Sequence, residues 1–163
     1  MINQNIIEVL SDKKNLLAFS AGVDSSALFY ILKESNINFD IAFVNYGLRK
    51  ESIQEEKYTK ELSIKYNINA FIINSPKWEN NFEANARDFR YNFFHQIIDD
   101  YNYQTLITAH QLNDQLEWFL MRLTKGAGVS ELLGLEDLSI RYTSSKNIKY
   151  NLIRPILDIS KDD

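Results

Sequence analysis

The sequence predicts an α/β fold, a doubly wound, mostly parallel sheet with helices on both faces. Short apolar runs rich in β-formers recur along the chain, and amphipathic helical stretches separate them. With 45% of its 163 residues hydrophobic, the chain can bury a core of its own. Strand and helix alternating in this way read as βαβ units, in which parallel strands are joined by crossovers that cover the sheet.

The first strand is expected at 16–19, and the others at 39–44, 70–73 and 105–108. Between them, 25–34 carries Ala27, Leu28, Ile31 and Leu32 on one helical face, and 53–66 carries Tyr58, Leu62 and Tyr66. Residues 82–98 and 112–123 follow the same pattern. The polar run 141–149, with Thr143, Ser144, Ser145 and Asn147, reads as a surface loop or hairpin. Near the end, Ser160 has the position of an N-cap, so a further helix is expected to begin there. Residues 1–163 are thus read as one domain, the front part of a longer architecture.

Composition excludes several classes of function. Without cysteine there is no disulfide scaffold, zinc knuckle, iron–sulfur cluster or thiol nucleophile. Residues 1–10 have neither a basic flank nor a continuous apolar run, so no signal peptide or membrane span is written there and a cytoplasmic location is expected. A net charge of −4 argues against gripping nucleic acid over the whole surface. Lys and Arg number 11 against 16 Asp and Glu in residues 1–119, but 7 against 6 in 120–163, so a polyanion should approach the C-terminal side.

The segment Ser20-Ala21-Gly22-Val23-Asp24-Ser25-Ser26 joins the first strand to the first amphipathic helix. Ligands in open α/β sheets sit beyond the carboxyl ends of strands, where a helix N-terminus offers N–H donors and a positive dipole end. Small residues let the backbone approach a phosphate, and hydroxyls add donors. The spacing matches neither G-x-x-x-x-G-K-[ST] nor G-x-G-x-x-G. Two readings are open from these residues, a phosphate loop or a helix capped by Asp or Ser.

Ser20-x-Gly22-x-Asp24-Ser25 resembles the pyrophosphate loop of the N-type ATP pyrophosphatases, usually S-G-G-x-D-S, with Ala21 in place of the first Gly. Four further segments are similar to those of the tRNA(Ile)-lysidine synthetases. They are Val44-Asn45-Tyr46-Gly47-Leu48-Arg49, the helix from Glu83 through Arg87 and Arg90 to Tyr91, Ala109-His110-Gln111-Leu112-Asn113-Asp114-Gln115-Leu116-Glu117 with Lys125-Gly126-Ala127-Gly128 beyond it, and Arg154-Pro155-Ile156-Leu157. Tyr46 replaces a usual His, Asn113 a common Asp and Lys125 an Arg. The resemblance implies an adenine nucleotide alpha hydrolase-like, Rossmann-like fold.

It also implies adenylation by ATP of the wobble cytidine in a tRNA(Ile) with a CAU anticodon, then attack by L-lysine to give lysidine, with release of AMP and pyrophosphate. The implied catalytic residues are Asp24, Arg90 and Asp114, with Asp24 and Asp114 as Mg ligands. ATP is expected on Ala18, Phe19, Ser20, Ala21, Gly22, Val23, Asp24, Ser25, Val44 and His110. Arg49, Lys125, Gly126, Gly128 and Arg154 are expected to face tRNA or lysine.

No membrane is involved in this reading, and a homodimer is left open. Other roles stay open beside these: a helix cap for Asp24, a first-turn acid for Asp114, an ion pair with Asp88 or Glu83 for Arg90, a structural hydrogen bond for His110, and a helix C-cap for Lys125 to Gly128. His95 is read as helix surface, and Trp78 as a stacking platform or core. The alternatives at the level of function are a catalytically silent ATP- or tRNA-binding module, or another PP-loop tRNA-modifying enzyme. A thiolation enzyme is disfavoured by the missing thiols.

Overall fold

Helix α1 (Gln4–Ser11) opens the chain, followed by β1 (Asn15–Ala18), α2 (Val23–Glu34), β2 (Phe39–Asn45), α3 (Glu51–Tyr66), β3 (Ala70–Asn74), α4 (Phe82–Tyr101) and β4 (Thr105–Ile107). A hairpin of β5 (Leu138–Tyr142) and β6 (Lys149–Ile153) completes the described elements. The computed structural model describes residues 2–48, 50–110 and 136–156. The helices expected at 112–123 and from Ser160 lie outside them.

The six described strands form one sheet in the order β3-β2-β1-β4-β6-β5, parallel except for the antiparallel edge strand β5. Side chains alternate across it with a period of two, as the pleat requires. Leu17, Phe19, Ile41, Phe43, Ile107 and Ile153 point to the face covered by α1, α2 and α3, where Leu10, Leu28, Phe29, Leu32 and Leu62 meet them. Leu16, Ala42, Leu106 and Leu152 point to the other face and pack on Phe94, Ile97 and Ile98 of α4. The expected doubly wound α/β architecture is therefore present.

Three local features add to the expectations. α1 was not foreseen, although Asn3 caps it by accepting the Asn5 N–H at 2.9 Å and Ile2, Ile6 and Leu10 recur every four residues on its buried side. The buried stripe of α4 runs through Ala86, Phe94, Ile97 and Ile98, whereas Phe82 and Phe89 turn aside to meet Trp78 at 5.7 Å each. The run 141–149 proves to be the hairpin alternative, closed by Thr143 N–H to Ile148 O at 2.9 Å.

Helix ends use Asn where glycine is scarce. Asn36, Asn67 and Asn102 take left-handed conformations at the C-termini of α2, α3 and α4, with φ of 57°, 51° and 58°. Asn tolerates that region better than other residues with a side chain because its short amide bonds locally.

Polar ties close the amino end of the sheet. Buried Asn15 donates from Nδ2 to Leu10 O, Lys13 O and Asn38 O at 2.9, 3.1 and 2.8 Å, and its Oδ1 accepts from Thr105 Oγ1. Asp40 accepts from the Asn69 N–H at 2.7 Å and from the Tyr103 hydroxyl, whose ionisation is pushed far up by burial and by that carboxylate. No described helix is long and apolar enough to cross a membrane.

Candidate functional site

The chain winds outward from β1 through β2 to β3, then returns by α4 to lay β4 on the other side of β1. That reversal leaves a crevice beyond the carboxyl ends of β1 and β4, the place where open α/β sheets bind ligands. A cleft of about 270 Å³ lies there. β1 and its loop contribute Ala18, Phe19 and Ser20, α2 contributes Asp24 and Ser25, and β2 and the turn after it contribute Ala42, Val44 and Tyr46. α4 supplies Arg90, Tyr91 and Phe94, and the end of β4 supplies Thr108, Ala109 and His110.

The Ser20–Ser25 loop is held by its own hydroxyls. Ser25, 4% exposed, accepts the Ser20 N–H on Oγ at 3.2 Å and donates to Gly22 O at 3.2 Å, while the two serine hydroxyls pair at 3.0 Å. Gly22 is the N-cap of α2 and has no side chain to cap with, so Asp24 and Ser25 belong to the first turn and neither is the cap. The first intrahelical bond runs from Ser26 N–H to Gly22 O at 3.0 Å. The N–H groups of the first turn precede it and aim outward from the helix, which makes this end receptive to an anion.

Ala21, where the resembled family has glycine, sits at φ 60°. A side chain in that region is strained, so this is a true glycine position occupied by alanine. Gly22 has an ordinary backbone at φ −74°, ψ 170°, but a Cβ there would stand 3.3 Å from Ser20 Oγ. Smallness at Gly22 therefore protects the position of the Ser20 hydroxyl.

Of the residues expected to face ATP, Phe19 has its N–H already committed to Ala42 O at 2.9 Å. His110 pairs through Nδ1 with Thr108 Oγ1 at 2.7 Å, so it has a structural bond and also lines the cleft. Exposed Arg90 reaches the cleft, and no ion pair joins it to Asp88 or Glu83 among the described residues. Arg87 lies 5.9 Å from the Tyr91 ring in a cation–π arrangement.

Arg49, Asp114, Lys125, Gly126 and Gly128 lie outside the described residues. Arg154 lies off this cleft: it is 5% exposed, lines a neighbouring cavity and donates from Nη1 to Glu136 O at 2.7 Å. Its place at the end of central strand β6 explains the burial. His95 corrects the helix-surface reading, because it is half-buried between the hairpin residues Ser144 and Tyr150.

Sequence reasoning missed Thr108, Tyr91 and Phe94 as cleft residues. Tyr91 was within reach of it, as the neighbour of Arg90, but its direction depends on how α4 crosses the sheet. Tyr46 also lines the cleft, with its ring 5.9 Å from Phe82. For a metal, no group of three or more His, Asp or Glu converges among the described residues. Magnesium on a nucleotide takes only one or two carboxylates, a demand Asp24 on the cleft wall fits.

A family model described as a PP-loop domain matches residues 2–163. The tRNA(Ile)-lysidine synthase of Campylobacter jejuni strain RM1221 is 49% identical over 162 residues, covering 99% of this chain and 49% of that protein. Those of Helicobacter hepaticus and Helicobacter pylori strain 26695 are 47% and 42% identical, over 94% and 96% of this chain and 36% and 45% of theirs. The chain thus spans about half or less of these curated relatives. A solved U34-tRNA thiolase from Methanococcus maripaludis, described with its iron–sulfur cluster, superposes with a TM-score of 0.73 at 19% identity, over 99% of this chain and 56% of that one. That likeness concerns the fold; this chain has no cysteine to hold a cluster.

Proposed function

The chain belongs to the PP-loop domain family, and from that premise we propose that it carries the ATP-dependent chemistry of a tRNA(Ile)-lysidine synthase. ATP adenylates the C2 oxygen of the wobble cytidine in tRNA(Ile) with a CAU anticodon, and pyrophosphate leaves. The ε-amine of L-lysine then displaces AMP to give lysidine. The observation that carries this reading is the cleft at the β1/β4 reversal, where Ser20, Asp24, Ser25 and Arg90 meet on one wall system.

In this mechanism the Ser20 and Ser25 hydroxyls and the N–H groups opening α2 hold the pyrophosphate as it departs. Arg90 offers its guanidinium fork to charge developing on the transferring group. Asp24, with Asp114, would hold magnesium, which when bound supplies positive charge to the phosphate oxygens. Ala18, Phe19 and Val44 border adenine, and His110, fixed by Thr108, borders the nucleotide or the base. Arg49, Lys125, Gly126 and Gly128 are proposed to meet tRNA or lysine.

The test is incorporation of labelled lysine into tRNA(Ile) carrying CAU, with ATP and magnesium, and a UAU transcript as control. Labelling that depends on ATP and on CAU is expected. ATP binding without any labelling would overturn the assignment of full turnover to this chain. The Asp114→Asn variant separates an enzyme from a silent binding module, since only an enzyme loses AMP release while staying folded.

A further inference from the structure

Beside the nucleotide cleft, α4 and the β5–β6 hairpin line a second, open cavity of about 350 Å³ whose charged walls are three arginines, Arg87, Arg141 and Arg154, against one carboxylate, Asp88. Tyr91 lines both cavities, so the two share a wall. We propose that this arginine pocket binds a backbone phosphate of the RNA substrate, next to the nucleotide whose base enters the cleft. The inference rests on the tRNA reading above and adds to it a place for the polyanion.

The charges argue for an anion. Among the described residues no ion pair neutralises Arg87, Arg141 or Arg154. Arg141 faces Tyr150 across the β5–β6 ladder, on the α4 side of the sheet. Arg154 is 95% buried by its 5% exposure, and its Nε has no hydrogen-bond partner. Burial lowers the affinity of Arg154 for its proton. The Arg141 charge pushes the same way, while Tyr91, Glu136 and Asp137 oppose it. Like-charged guanidinia gathered at one cavity repel, and a phosphate relieves that repulsion while accepting paired N–H bonds from the planar forks.

The position also matches what a nucleic acid requires. Phosphate contacts fix register and orientation, while the base is handled elsewhere, and here a pocket for each lies on either side of Tyr91. Arg87 and Arg141 are exposed, so a strand crossing the surface can reach them. The tyrosines Tyr91 and Tyr150 add hydroxyl donors to the wall; burial, ahead of the opposing effects of nearby charges, pushes Tyr150 up to about 12, so its hydroxyl keeps its proton at neutral pH.

The experiment measures binding of a short RNA anticodon stem-loop carrying CAU to the whole chain and to Arg87→Gln, Arg141→Gln and, as a charge control on α3, Lys57→Gln. ATP affinity is measured in parallel by calorimetry. Each arginine variant is expected to weaken RNA binding about tenfold. Each should also lower the slope of log affinity against log salt by about 1, with ATP affinity unchanged. Lys57→Gln should change RNA binding less than twofold.

Equal weakening by all three variants, or none, would overturn the pocket while leaving the tRNA reading in place. Weakened ATP affinity would assign the pocket to the nucleotide and overturn it too. A chain that binds ATP but no RNA would overturn the tRNA reading, and the pocket with it.

Discussion

The Ser144 N–H donates to His95 Nδ1 at 3.1 Å, which places the imidazole proton on Nε2, 3.0 Å from the Tyr150 hydroxyl. One neutral ring therefore pins the tip of the β5–β6 hairpin to α4, with Asp99 as the nearby carboxylate. Protonation of Nδ1 destroys the acceptor that Ser144 needs.

Burial lowers the His95 pKa below 6.5, and Asp99 only partly opposes it. The folded state refuses a proton that the unfolded chain binds, so the stabilisation is complete above 6.5 and shrinks as pH falls below that value. Chemical denaturation at about pH 7.5 and about pH 5.5 should show the wild type losing stability in acid. His95→Phe should lose less over the same interval, and an equal loss in both would refute the latch.

Asn15 supports a stability prediction. Its amide satisfies three carbonyls and one hydroxyl at the meeting of α1, β1, β4 and the chain entering β2. Asn15→Ala leaves those groups buried without partners and should cost about 3 kcal/mol, mostly desolvation. Asn15→Asp should destabilise as well, because a carboxylate there would face three carbonyls. Urea midpoints within error of wild type for both variants would contradict this account.

Much of the fold and part of the site were legible in the chain, for physical reasons that differ between elements. Leu16-Leu17-Ala18-Phe19 is apolar on both faces, as a central parallel strand must be, and the hydroxyl-rich loop directly after it marks a helix N-terminus at a strand end. That logic located Ser20 to Ser25, and the family resemblance located Arg90. Pairing between distant strands leaves no such trace. Arg154 looks exposed by residue type, but β6 inserts beside β4 and buries it. His95 likewise depends on a hairpin 49 residues away for its partner. Asn36, Asn67 and Asn102 end helices where sequence reasoning looks first for glycine.

Ala21→Gly tests the strained loop. Relief of a left-handed alanine is worth about 1 to 2 kcal/mol, and the added freedom of glycine in the unfolded chain takes back about 0.4 to 1 kcal/mol. The variant should be as stable or slightly more stable, by about 0 to 1.6 kcal/mol, and should bind ATP at least as well. A thermal midpoint clearly below wild type would show that Ala21 is held there without strain.

Gly22→Val tests the same loop in the opposite direction. The new Cβ presses on Ser20 Oγ, which now sits 3.0 Å from Ser25 Oγ and accepts the Gly22 N–H at 3.3 Å. ATP affinity should fall while circular dichroism stays near wild type, since the backbone at φ −74° suits any residue. Unchanged affinity in calorimetry would contradict the phosphate-cradle role.

Arg90 separates binding from chemistry. Because it is exposed on α4, Arg90→Gln should leave stability within about 0.5 kcal/mol of wild type. A donor aimed at developing charge contributes in the transition state more than in the ground state, so its loss should slow pyrophosphate release about 100- to 1,000-fold and change ATP affinity much less. Arg90→Lys keeps the charge but loses the planar fork, and it should recover only part of the rate. The measurement is single-turnover release of pyrophosphate from ATP in the presence of tRNA(Ile) with CAU. A rate equal to wild type in Arg90→Gln would remove this residue from the reaction. A large loss of ATP affinity at an unchanged bound-state rate would reassign it to nucleotide binding.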